Sequence, residues 1–137
     1  MLVRDVFEYA IVRVVPRVER EEFINAGVVL FCRTRRFLDA RIALDTQRLA
    51  ALAPELDVTP IQEELDHIPT VCVGGEAAGP IGLLPQAERF RWLVAPRSTI
   101  VQPSPVHCGL CEDPQIELDR LVETMVWSTY RYPTGQP

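Results

Sequence analysis

The strongest pattern in the chain is the unbroken apolar run of residues 26–32, Ala-Gly-Val-Val-Leu-Phe-Cys, closed by Arg33. A Val-rich run of that length next to charged residues reads as a buried strand. Two carboxylates, Glu21 and Glu22, and the amide of Asn25 stand just ahead of it. The Asn25-x-Gly27 step is a place where a backbone turns sharply or takes a positive φ. Upstream, residues 7–15 set Phe7, Tyr9 and Ile11 against Glu8, Ala10 and Val12, then become apolar apart from Arg13. This predicts a first strand ended by Pro16, which has no amide to give to a ladder. Residues 17–22 make a charged connection, residues 33–36 a turn of solvated charge, and residues 37–44 a third strand. Links this short require antiparallel pairing, because a parallel crossover needs a dozen or more residues.

After Leu44 the period changes. Asp45 caps a short helix over residues 46–53, stopped by Pro54. Thr59-Pro60-Ile61-Gln62 marks a second helix start, with Ile61, Leu65 and Ile68 on one face. Residues 74–85 hold four glycines and two prolines and read as a loop. A helix over 85–95, a β-prone stretch at 98–102 and a second loop over 104–112 follow. Asp113 as N-cap and Pro114 at the first helical position open the clearest helix. Its Leu118, Leu121, Val122, Met125 and Val126 recur at the spacing of a core-facing stripe. The expected class is therefore α+β: an antiparallel meander of three or more strands with helices packed on one face. Residues 1–130 are expected to form a single domain and residues 131–137 a flexible C-terminal tail.

Composition narrows the function classes. A chain of 137 residues with 47% apolar content buries one core without staples. No apolar run approaches the roughly 18 residues of a membrane span. Arg4, Asp5 and Glu8 interrupt the place of a signal peptide, so a cytoplasmic protein without membrane contact is expected. The net charge of −5 argues against nucleic-acid binding. All 14 basic residues are arginine, which excludes Schiff-base and P-loop lysine chemistry. In that compartment the four cysteines are expected as reduced thiols.

Two groups of residues have the types that chemistry needs. His107-Cys108-Gly109-Leu110-Cys111 holds a C-x-x-C pair, half of a zinc site, with His107 as a third donor. Four ligands close such a site, and only Cys32, Cys72 and His67 remain to complete it. Structural cysteines are the first reading, with a zinc site and a redox pair as alternatives. Glu21, Glu22 and Asn25, near Arg13 or Arg20, form the other group. Acid–base work is one reading; a solvated pair with Asn25 capping a turn is the other. Ser98, Ser104 and Ser128 lack the context of a hydrolase nucleophile. Arg33, Arg35, Arg36 and Arg41 make the one basic cluster, in a solvated turn.

Tyr9-x-x-x-Arg13-x-x-Pro16, Glu22-Phe23-x-Asn25-x-Gly27-Val28, Ser104-Pro105 with Gly109, and Asp113-Pro114 resemble the bacterial family of domain of unknown function 3037. The resemblance covers roughly residues 7–127 and brings no established activity. Proteins similar to this family are often encoded beside a HipA-like kinase, which implies a protein partner. Cys108 and Cys111 fall outside the family pattern. The polar positions on it, Arg13, Glu22, Asn25 and Asp113, together with Gly27, make the expected functional cluster. Arg13 is expected to pair with Glu22 and brace the turn at residues 25–27. The leading expectation is a non-enzymatic adaptor or regulator that needs no cofactor, with homo-oligomerisation open. The alternatives are a small enzyme or nucleotide-processing domain at Arg13, Glu22 and Asn25, and a zinc-stabilised binding module.

Overall fold

Every residue from 26 to 32 is buried, so this strand must be covered on both of its faces. A computed structural model, describing residues 3–127, shows how that cover is arranged. The elements are β1 (Asp5–Arg17), β2 (Glu22–Cys32), β3 (Phe37–Ile42), α1 (Thr46–Leu52), α2 (Val58–Val73), α3 (Gln86–Leu93), β4 (Val101–Pro103), β5 (His107–Cys111) and α4 (Pro114–Met125). The five strands form one antiparallel sheet in the order β3-β2-β1-β4, with β5 also on β1. The meander of three strands and the α+β class are as expected.

The helices divide between the two faces of the sheet, where one covered face was expected. Val29, Phe31, Ala10, Leu38 and Ala40 pack under α2 and α3, and Val12, Val14, Ile24 and Ala26 pack with α1 and α2. The alternate residues Val28, Leu30 and Cys32, with Phe7 and Ile11, meet Leu118, Leu121, Val122 and Val126 of α4. Met125, expected in that stripe, is 40% exposed. An Arg41–Asp119 ion pair at 3.1 Å joins β3 to α4 on the same face.

The two hairpins turn by the same device. A three-residue 3-10 turn, Val18–Arg20 or Arg33–Arg35, is followed by one residue in the left-handed region, Glu21 (φ 56°) or Arg36 (φ 50°). The turn therefore lies at Glu21 and not at Asn25-x-Gly27. Strand β1 runs through Pro16 to Arg17; its pairing with β2 is irregular between Val14 and Arg17, so the missing amide breaks no regular ladder. Strand β2 begins at Glu22, ahead of the expected 26–32. Helix α2 starts at Val58 under an Asp57 cap that accepts from the Thr59 amide at 3.1 Å, where Thr59 was expected as cap. Pro60 falls in the first turn, where an amide has no intrahelical partner to lose.

The second expected loop is in large part a strand. β4 and β5 share one edge of β1, and Ser104 joins them: its amide donates to the Ile11 carbonyl at 2.8 Å. Its hydroxyl accepts from the Ile11 amide at 2.8 Å and donates to the Pro105 carbonyl at 2.8 Å. Gly109 stands opposite Phe7, and a Cβ there would meet the Phe7 ring at 2.7 Å, so the ring fills the space over the glycine. Among the described residues no helix is long and apolar enough to cross a membrane. The expected tail, residues 131–137, and Ser128 lie outside the described residues.

Candidate functional site

The site residues predicted on β2 are gathered by a bulge. Val12 stands opposite Gly27 and Arg13 opposite Asn25, which leaves Ala26 as an extra residue in β2. The bulge puts Ala26 into the core beneath α1 and α2 and turns Asn25 to the α4 side. Asn25 Nδ2 donates to the Met125 carbonyl at 2.9 Å, tying the last turn of α4 to the sheet. Gly27 has no positive φ; it is glycine because β3 comes close. A Cβ there would lie 2.7 Å from the Arg41 carbonyl oxygen and 2.8 Å from Ile42 Cδ1.

The expected Arg13–Glu22 pair does not form. Glu22 takes Arg20, two residues away across the turn. Arg13, opposite Asn25 on one side and Gln102 on the other, lays its guanidinium over the Phe23 ring, 4.2 Å from the centroid. Its Nε is buried without a hydrogen-bond partner. An unmade buried donor costs about 1–3 kcal/mol, more when charged. Beside it is a cavity of about 360 Å³ lined by Arg13, Phe23, Glu21, Ser98 and Gln102, with Val15 and Val18 as apolar wall. Asp113 is not part of this group. Its carboxylate caps α4, accepting from the Gln115 amide at 2.9 Å and the Ile116 amide at 3.4 Å. The length of α4, about 18 Å at 1.5 Å per residue, separates it from the Asn25 end.

The cysteines separate as well. Cys108 and Cys111 lie three residues apart on β5, so the pleat points them to opposite faces. Cys108 is exposed, while Cys111 is buried beneath α4 in the same core cluster as Cys32. The His107 ring lies tilted against Tyr9, with centroids 5.3 Å apart. Among the described residues no three His, Cys, Asp or Glu side chains gather as a metal site would require. Burial pushes the Cys111 thiol up to about 11 and Cys72 up to about 12, away from the thiolate a nucleophile needs. Asp5 is held below its ordinary value by hydrogen bonds from the Thr34 hydroxyl at 2.7 Å and Arg35 at 2.6 Å.

The model of the family described as Protein of unknown function (DUF3037) matches residues 9–126. The chain belongs to the DUF3037 family. No curated protein and no solved structure matches it. The matched span takes in the bulge, the Ser104 junction and the whole of α4, so the family model covers the neighbourhood of Arg13. Within this DUF3037 domain, Phe23 and Gln102 were not among the expected site residues. Phe23 alternates with Asn25 on β2 and could have been found from the strand period alone. Gln102 could not, because β4 reaches Arg13 only through tertiary pairing.

Proposed function

We propose that this DUF3037 chain is a non-enzymatic, cytoplasmic binding module that takes an extended segment of a partner protein along the outer edge of β5. One observation carries the reading. Val6 and Leu110 are register partners on β1 and β5, and they are 61% and 59% exposed on the face where the α1–α3 layer stops short. Val3, three residues ahead of Val6, is 64% exposed. Among the described residues no strand pairs with the outer side of β5. An apolar ledge beside a free strand edge suits strand addition, in which main-chain bonds give affinity and alternate side chains give specificity. Against the enzyme alternative, Glu22 and Asn25 are already engaged, by Arg20 and by the Met125 carbonyl. Against the zinc alternative, Cys108 and Cys111 diverge across β5.

A HipA-like kinase is the first partner to test. The chain is co-expressed with such a kinase and the complex weighed by native mass spectrometry, for the parent and for Leu110→Glu. A heteromeric mass that disappears in Leu110→Glu, while the variant's melting temperature holds, is the expected result. A complex unchanged by Leu110→Glu and by Val6→Glu removes β5 as the docking edge. A mass of two chains lost in the same variants assigns the edge to a second copy.

A further inference from the structure

We infer that the cavity beside Arg13 is a carboxylate-binding site, with the Arg13 guanidinium as its anchor. Among the described residues three arginines are half-buried: Arg13, Arg89 and Arg97. Arg89 spends its donors on the carbonyls of Leu84, Val71 and Cys72 at 2.6 to 3.0 Å, and Arg97 donates to the Trp92 carbonyl at 2.6 Å. Arg13 alone of the three has neither carbonyl nor carboxylate among the described residues, and its buried Nε is unmet. The Phe23 ring under the guanidinium fixes the plane of the fork, and no described group accepts from the Nε on its edge. Two parallel N–H groups on that edge match the two oxygens of a carboxylate.

The other lining groups point to the same ligand class. The Gln102 amide and Ser98 hydroxyl supply further donors at the wall, and Val15 supplies an apolar surface. Glu21, also on the wall, carries a negative charge that repels a phosphate dianion about twice as strongly as a carboxylate monoanion. The chain's net charge of −5 acts in the same direction. The carboxylate comes from an Asp or Glu side chain of a bound polypeptide or from a free small acid. The site is independent of the β5 edge: Arg13 and Val6 are seven residues apart on β1, about 23 Å along a strand.

The test is NMR on the whole chain, following the Arg13 Nε–H and Gln102 side-chain amide signals. The probes are sodium benzoate, the capped peptide acetyl-Ala-Ala-Glu-Ala-Ala-amide, and sodium phosphate at matched ionic strength. Both signals are expected to move saturably with benzoate or with the peptide, and to stay in place with phosphate. A response to benzoate but not the peptide names a free acid as the source, and tighter binding of the peptide names a polypeptide. Arg13→Lys keeps the charge and loses the fork, and it is expected to bind at least about tenfold more weakly. If neither acid moves the Nε–H signal, if phosphate moves it equally, or if Arg13→Lys binds as well as the parent, the site is not a carboxylate site. The first two of these outcomes are read on the unaltered protein, so they stand whatever the variant's stability.

Discussion

Ser104→Ala should reveal how much of the sheet's stability depends on one hydroxyl. Ser104 is the buried polar side chain among the described residues, 3% exposed, at the junction where β4 gives way to β5. Its Oγ accepts the Ile11 amide at 2.8 Å in the middle of β1 and passes its own proton to the Pro105 carbonyl at 2.8 Å. Alanine fits the same space but leaves the Ile11 N–H without an acceptor inside the sheet. The exposed Pro105 turns its carbonyl to water at little cost. Orphaning one buried donor costs about 1–3 kcal/mol. At roughly 4 °C per kcal/mol for a domain of this size, the melting temperature should fall by about 4–12 °C. Urea unfolding followed by tryptophan fluorescence measures the loss, with Ser98→Ala, at an exposed position, as the control expected to stay within about 0.5 kcal/mol. Amide exchange gives the local readout: Ile11 should lose more protection than Val28, its neighbour across β2. A loss under about 0.5 kcal/mol with unchanged Ile11 protection would refute the view that Ser104 stands in for a ladder partner.

Two further outcomes follow from the core. Gly27→Ala forces a Cβ against the Arg41 carbonyl at 2.7 Å and should lower the urea midpoint by the equivalent of about 1–3 kcal/mol; parent-like stability would mean β3 does not need to approach so closely. At pH 8, iodoacetamide should label the exposed Cys108 and spare folded Cys72 and Cys111, as read by peptide mass; equal labelling would contradict their burial. Because those two thiols sit near 12 and 11 in the fold against an ordinary 9.0, the unfolded chain ionises first. Stability is therefore complete below about pH 9 and declines as the pH rises toward 11–12, and the decline should be shallower in Cys72→Ala/Cys111→Ala.

What was legible in the sequence is what local rules specify. The apolar run ending at Cys32 declared a buried strand, the short charged links demanded an antiparallel meander, and Asp45 and Asp113 announced their helices, each accepting the first free amides of its helix. The site was legible only as a set of positions: Arg13 and Asn25 do meet across the first two strands.

Pairing across the sheet decided the rest. His107–Cys111 has no strand period and a glycine at its centre, and it is a strand because the β1 edge and the Phe7 ring complete it. The one-residue bulge at Ala26 shifts which face Asn25 takes, a choice invisible in a run that is buried on both faces. Glu22 was free, by sequence, to answer Arg13 or Arg20, and the turn at Glu21 put Arg20 within reach. Asp113 is conformationally local and spatially remote, because a twelve-residue helix lies between it and the site. Residue identity settles what a segment prefers to be. Only the assembled sheet, with β4 laid beside β1, brings Gln102 and an unpaired arginine to the same cavity.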